Sequence, residues 1–370
     1  RRILTKKEIK MSEKILLIDG HSILNRAFYG LPDLTNSEGL HTNAVYGFLN
    51  IMFKILDEEA PEYLTVAFDV HAPTFRHEMY ADYKGTRKPM AEELRQQVPV
   101  IKDVLKAMGI NIIEQAGLEA DDLLGTISKR CGRQGMDVSV ISGDRDLLQL
   151  ATKRVKIRIP KTKQGRTEIE DYYAEDVKER YQVTPEEFID LKALMGDASD
   201  NIPGVPSIGE KTATKIITEY HSIENAYEHV EELKPPRAAK ALKEHWDMAV
   251  MSRKLAKINV DAGVAFRLDE AKLGNVFTEE AYGWFQRLQF KNLLGRFDVK
   301  APSNSVEDCF REIASQEEAG KILAEAKKAA LAGAVIFKDT KNTLPLFAGQ
   351  ADIGGIGLCY GADKIFCIRA

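Results

Sequence analysis

Nine acidic residues carry the first chemical signal in the chain: Asp19, Asp69, Glu119, Asp121, Asp122, Asp144, Asp146, Asp197 and Asp200. The first seven stand just beyond short apolar runs, and the last two sit three apart in Gly-Asp-Ala-Ser-Asp-Asn. Two carboxylates about 4 Å apart repel by roughly 4 kcal/mol at an effective dielectric near 20. A cluster of this size therefore calls for bound cations or strongly raised pKa values. Ligands that are all oxygen favour hard ions, Mg²⁺ or Mn²⁺, over zinc. Two such ions, about 3.5–4 Å apart, are suited to activating water for in-line attack on a phosphodiester. Taken singly, each acid has a simpler use, in a helix's first turn or in closing a turn. Recurrence after four successive strand-like runs is what selects the metal reading.

Groups suited to a nucleic-acid strand lie in the same stretch. After Asp69 come Phe75-Arg76-His77 and then Tyr83-Lys84-Gly85-Thr86-Arg87. Cations meet phosphates and rings stack on bases, so Arg76, Tyr83, Lys84 and Arg87 are read as DNA contacts. Beside a carboxylate cluster, Lys84 and Arg87 are also placed to stabilise charge on a scissile phosphate. A solvated basic loop is the plainer alternative. Beyond Asp200, Gly204 and Gly209 lie five apart, with Lys211 where a helix restarts. Such spacing allows close backbone approach and presents N–H groups to a phosphate. It resembles the hairpin of a helix-hairpin-helix motif, which grips duplex backbone irrespective of sequence. Lys153, Arg154, Lys156, Arg158, Lys161, Lys163 and Arg166 follow one another without an intervening acid. They read as a solvated basic hairpin first and as a duplex contact second.

Holding these groups together needs a scaffold. Ile15–Ile18, Leu64–Phe68, Ile110–Ile113 and Val138–Ile141 are predicted strands. Between them, apolar residues recur at helical spacing: Val45, Phe48, Leu49, Met52 and Leu56; Val98, Ile101, Leu105 and Met108, stopped by Gly109; and Ala120, Leu123, Leu124, Ile127 and Cys131. Alternation in such short units predicts an α/β fold with a mostly parallel central sheet and helices on both faces. Loops past the carboxyl ends of its strands then converge on one edge. The rhythm breaks between Asp69 and about Arg95, which predicts a long functional loop or helical excursion. After Lys161 the chain reads as mainly helical through about residue 260. Residues 298–305 read as a linker. A helix over 307–332 and strand-like runs at 334–337 and 355–368 open a second α/β domain.

At 370 residues the chain holds two or three domains. With 44% hydrophobic and 29% charged residues it has the mix of a globular protein able to bury a sizeable core. A net charge of −4 does not by itself announce a nucleic-acid binder. Cys131, Cys309, Cys359 and Cys367 form no CxxC pair and read as scattered thiols of a reducing cytoplasm. No apolar run approaches the ~20 residues a bilayer span needs, and the run after the basic residues 1–10 is too short for a signal-peptide core. Residues 1–11 are read as an N-terminal extension outside the fold, or as an ordinary tail.

Leu-Leu-Ile-Asp19-Gly-His, Phe-Asp69 with Phe75-Arg76-His77, Tyr83-Lys84-Gly85-Thr86-Arg87, Glu119-Ala-Asp121-Asp122, Ser142-Gly143-Asp144-Arg145-Asp146 and Gly196-Asp197-Ala-Ser-Asp200-Asn-Ile-Pro-Gly occur in that order. As a set they resemble the 5′ nuclease domains of bacterial DNA polymerases I, members of the flap endonuclease family, over about residues 12–300. The resemblance implies Mg²⁺- or Mn²⁺-dependent hydrolysis of double-stranded DNA at 5′ flaps and nicks, as in replication and repair. Two ions would be held by Asp19, Asp69, Glu119, Asp121, Asp122, Asp144, Asp146, Asp197 and Asp200.

It further implies an α/β core over 12–180 with a helical arch at about 70–95. The arch would carry Tyr83, Lys84 and Arg87 over the site, with Lys84 and Arg87 catalytic at the cleaved phosphate. A helical DNA-binding subdomain over 181–300 would hold the duplex on its helix-hairpin-helix, with a K⁺ ion on the hairpin carbonyls. Residues 301–370 resemble the opening of a 3′–5′ exonuclease-like domain, but Lys341 follows Asp339 where an active domain would have Asp-x-Glu, which implies an inactive spacer. By the same resemblance the protein is a monomer of the bacterial cytoplasm, associated with the nucleoid and continuous with a polymerase domain. Two alternatives stay open: a related nuclease directed at RNA, and a non-catalytic DNA-junction-binding module whose acids hold a structural ion.

Overall fold

Ile15-Leu16-Leu17-Ile18 is buried throughout, as a strand must be when both faces of its sheet are covered. It forms the middle of β1 (Lys14–Asp19). The computed structural model describes residues 12–163, 166–297, 310–313, 315–327, 331–337, 353–360 and 364–369. The N-terminal extension, the linker and Asp339 to Lys341 lie outside the described residues. The chain divides into two compact units, one ending at Arg296 and one beginning at Phe297.

In the first unit β1 leads directly into α1 (Gly20–Gly30), then α2 (Asn43–Glu59) and β2 (Tyr63–Ala67). The excursion after Asp69 holds only two short helices, α3 (Phe75–Met79) and α4 (Glu92–Arg95), separated by turns. The α/β rhythm resumes with α5 (Gln97–Ala107), β3 (Asn111–Ile113), α6 (Ala120–Arg133) and β4 (Asp137–Ile141). Gly109, at φ +70°, ends α5 in the left-handed region that glycine enters freely. A 3₁₀ turn over Arg145–Leu150 leads to β5 (Val155–Lys163) and β6 (Arg166–Tyr172).

The six strands lie in the order β3-β2-β1-β4-β5-β6, all parallel except β6, which runs antiparallel to β5. Helix α6 packs against β1, β2 and β4 on one face, where Ile15 and Leu17 meet Leu123, Leu124 and Ile127. Leu16 and Ile18 point to the opposite face by the strand's period of two, and they too are buried. The antiparallel β6 continues the sheet where mainly helical chain was expected after Lys161.

Eight helices complete the unit: α7 (Ala174–Tyr181), α8 (Pro185–Met195), α9 (Glu210–Tyr220), α10 (Ile223–Glu228), α11 (Pro236–Glu244), α12 (Trp246–Ala256), α13 (Glu279–Arg287) and α14 (Lys291–Leu294). Helix α8 opens on a capping box, Thr184 with Glu187, and carries Pro185 in its first turn. It packs on α9 and α12.

The second unit departs from its expected elements. In place of one helix over 307–332 stand β7 (Phe310–Ile313), α15 (Gln316–Ala326) and β8 (Leu331–Phe337). The run at 355–368 is two antiparallel strands, β9 (Ile353–Tyr360) and β10 (Lys364–Arg369). β7 is drawn out of the helix by long-range pairing to β10 in a sheet ordered β7-β10-β9-β8, and local periodicity cannot reveal such a partner.

Candidate active site

Strand order reverses at β1: the chain winds outward through β2 and β3 on one side and through β4 and β5 on the other. The crevice past the carboxyl ends of β1 and β4 is the switch point, where open α/β sheets bind ligands. Asp19 ends β1 and caps α1, its Oδ1 accepting from the Ser22 N–H at 3.0 Å. Across the crevice the Ser142 hydroxyl donates to Asp19 Oδ2 at 2.8 Å. Asp69, past β2, accepts the Ala120 N–H at 2.8 Å, which ties it to the start of α6. Asp144 caps the turn after β4 by accepting from the Asp146 N–H.

The nine acids divide into two groups. Among the described residues, Asp19, Asp69, Asp121 and Asp144 form no ion pair with a lysine or arginine. Burial, then the charges of Asp69 and Asp144, push the Asp19 carboxyl up to about 7. Burial, then Asp19, Asp144 and Asp69, hold Asp121 well above the usual carboxylate range. Asp19 and Asp121 thus both feel the charges of Asp69 and Asp144, which makes the four near neighbours. His21 contacts Asp69, but burial lowers its pKa and leaves the ring neutral.

The other five acids have cations of their own. Glu119 lies 2.9 Å from Lys84 Nζ. Asp200 pairs with Arg87. Lys192 bridges Asp146, at 2.6 Å, and Asp197. Burial and Asp144 still raise Asp146 to about 7. Asp122 gives both oxygens to Arg76, at 2.8 and 2.9 Å, and also accepts the Asn259 N–H.

Four expectations change here. Asp122 is 0% exposed and saturated by Arg76, so it anchors the chain and does not face the crevice as a ligand. Arg76, expected on DNA, is 2% exposed and also donates to the carbonyls of Leu255 and Lys257. Tyr83, expected to stack on DNA, is 3% exposed, and its hydroxyl donates to Asp200 and Glu119. Gly204, expected to present its N–H to a phosphate, donates it to Ser252 Oγ and is buried. Its φ of +64° and its packing on Gly196 shape the loop that carries Asp197 and Asp200. A Cβ on Gly204 would stand 2.3 Å from Gly196 N. Lys84, Arg87, Gly209 and Lys211 remain accessible at least in part.

The basic segment closes onto the acidic loop. Lys84 N–H donates to the Asp200 carbonyl, Asn201 Nδ2 to the Asp82 carbonyl, and Arg87 Nε to the Ser199 carbonyl. A cleft of about 380 Å³, lined in part by Asp69, His77, Lys84, Arg87 and Glu119, opens beside this clasp. Basic residues of the hairpin form ion pairs, from exposed Arg154 to buried Arg158. Arg154 pairs with Asp137, Lys156 with Glu59, Arg158 with Asp171, and Lys161 with Glu170. Lys192 had no place in the sequence reading; the available signal was a lysine five residues ahead of Asp197 on a helix leading into the acidic loop.

Hard oxygen donors whose negative charges crowd one another are chemically fitted to divalent cations. Among the described residues no three side chains stand close enough to grip an ion as they are. Like-charge repulsion opposes their approach until a cation offsets it.

Acids at the switch point of a mostly parallel sheet, overhung by Lys84 and Arg87, define an α/β nuclease. Residues 14–182 match the family model for the 5′-3′ exonuclease N-terminal resolvase-like domain, and residues 183–279 that for the 5′-3′ exonuclease C-terminal SAM fold. The chain belongs to the 5′–3′ exonuclease family. It is 45% identical over 297 residues to DNA polymerase I of Bacillus caldotenax, a match covering 80% of this chain and 33% of that protein. DNA polymerase I of Bacillus subtilis is 43% identical over 284 residues, covering 77% and 32%. The chain thus spans about a third of the length of these relatives. A solved structure of T5 5′-exonuclease with divalent zinc ions bound is 25% identical at a TM-score of 0.55, covering 67% of this chain and 90% of that one. The catalytic core of Rad2, solved with a DNA substrate, shares the fold at 16% identity and a TM-score of 0.50, covering 75% and 88%.

Proposed function

We propose that the chain is a structure-specific 5′ nuclease that hydrolyses double-stranded DNA at 5′ flaps and nicks with two divalent ions, Mg²⁺ or Mn²⁺. The observation that carries this reading is the group Asp19, Asp69, Asp121 and Asp144, four carboxylates at one sheet edge that form no ion pair with a lysine or arginine among the described residues. They are the first-ion ligands, with Glu119 beside them. Asp146, Asp197 and Asp200 are the second-ion ligands. The zinc ions of the T5 relative support a divalent metal.

Bound ions supply a hydroxide nucleophile and offset charge on the phosphate. The chain's own residues do the rest. Lys84 and Arg87, paired with Glu119 and Asp200, would be free to meet the phosphate oxygens were those acids to hold a metal. Tyr83 stays buried and keeps Glu119 and Asp200 oriented. Ser142 and Ser22 hold Asp19 across the switch point. Gly209 and Lys211, at the exposed start of α9, meet the duplex backbone, with a K⁺ ion on the neighbouring carbonyls.

We further propose that the chain acts as a monomer in the bacterial cytoplasm, joined to a polymerase domain, with residues 301–370 an inactive spacer; the relatives, of which the chain spans about a third, support the joined polymerase. Cleavage of a 5′-flapped duplex in Mg²⁺, lost in EDTA and in Asp144→Ala/Asp146→Ala, tests the proposal. A protein that binds the flap yet leaves it uncut in Mg²⁺ and Mn²⁺ is a junction-binding module instead.

A further inference from the structure

Lys192 is a lysine held almost out of solvent, 9% exposed, near the end of α8. Its ammonium lies 2.6 Å from Asp146 Oδ1 and also contacts Asp197 Oδ2. Asp146 Oδ1 is buried and meets no other donor. The two acids come from separate elements, the turn after β4 and the loop after α8, so the ammonium is what joins them. Asp200, in the same loop, is neutralised by Arg87. The contrast with Asp19, Asp69, Asp121 and Asp144 is sharp, because among the described residues no lysine or arginine forms an ion pair with those four.

Resting on the two-ion reading above, we propose that Lys192 is a tethered cation standing in for the second metal ion and competing with it. The ammonium occupies one oxygen of each acid, and an ion entering between Asp146 and Asp197 would be repelled by it at close range, so the two compete for the pair. Among the described residues, only Glu119 of the acids around the first ion carries an ammonium, that of Lys84, and Lys192 touches none of them. The sites therefore differ in affinity by design, with the first loading readily and the second only weakly. A displaced ammonium needs a new anion, and the phosphate of a bound strand is the group available at this edge. Second-ion loading is thereby tied to the arrival of the phosphate, so that the full metal complement assembles on substrate.

The test is metal binding to the metal-free protein without DNA. Mn²⁺ is titrated by calorimetry and by the electron paramagnetic resonance signal of free Mn²⁺. Wild type is compared with Lys192→Met, with Lys192→Gln as a neutral variant that can still donate to Asp146, and with Lys192→Arg, which keeps the charge. Circular dichroism in EDTA confirms that each is folded, and Lys192→Gln serves if Lys192→Met is not. The expected result is a second binding event at least 10-fold tighter in the neutral variants. The first event should stay within 2-fold, and Lys192→Arg should match wild type. A second event unchanged or weakened in the neutral variants overturns the proposal and leaves the two-ion reading standing. A single binding event in every protein overturns both.

Discussion

Arg76 is where burial and sequence pattern disagree most, and its removal can be sized from the structure. Its guanidinium makes two parallel bonds to Asp122 and two more to the carbonyls of Leu255 and Lys257. Asp122 is fully buried. Arg76→Ala would leave that carboxylate without its counter-charge, and breaking one side of a buried pair costs about 3–5 kcal/mol. Two unsatisfied carbonyls add on the order of 1 kcal/mol each. At roughly 2–4 °C per kcal/mol for a unit of this size, the melting temperature should fall by about 10–28 °C. Arg76→Met/Asp122→Leu should recover most of the loss, since apolar groups of similar volume replace such pairs nearly neutrally. Thermal unfolding followed by circular dichroism reads both variants, and duplex affinity is measured well below the transition. If Arg76→Ala melts within 2 °C of wild type while duplex binding weakens several-fold, Arg76 faces DNA and the buried anchor is wrong.

Asp19 and Asp146 hold their protons up to about pH 7, above the ordinary carboxylate value near 3.9 of an unfolded chain. The folded state thus binds more protons, so the metal-free protein should lose stability as pH rises from about 4 to about 7, by roughly 4 kcal/mol for each carboxylate. Melting curves in EDTA should show this decline and saturating Mg²⁺ should remove it; a flat EDTA profile would contradict the charge cluster. Lys84→Ala should lower the single-turnover cleavage rate by about 10²-fold, with flap affinity within 3-fold; an equal loss in affinity would make Lys84 a binding residue only. Gly204→Ala would force a side chain into a left-handed backbone and against Gly196 N. It should cost about 2–4 kcal/mol, and chemical denaturation showing no loss would refute the close approach.

The α/β alternation and the convergence of acids were legible in the sequence because both rest on local regularities. Periods of 2 and 3.6 mark strands and helices, and acids that follow parallel strands come out at one sheet edge. Asp19, Asp69, Asp121 and Asp144 could thus be gathered before any coordinates. The charge pattern of residues 153–166 suggested a solvated hairpin, yet Arg158 is buried among Glu58, Glu59 and Asp171. Tertiary structure alone decided which charges find partners. Arg76 and Asp122 are 46 residues apart, and the carbonyl that completes the Arg76 site comes from Leu255, 179 residues away. Tyr83 reaches Asp200 over 117 residues, and Gly204 is buried because Ser252 meets its N–H. A sequence shows that a side chain is cationic or aromatic. Whether it faces solvent, a strand of DNA or a buried carboxylate depends on which distant segment packs over it, and no local period encodes that.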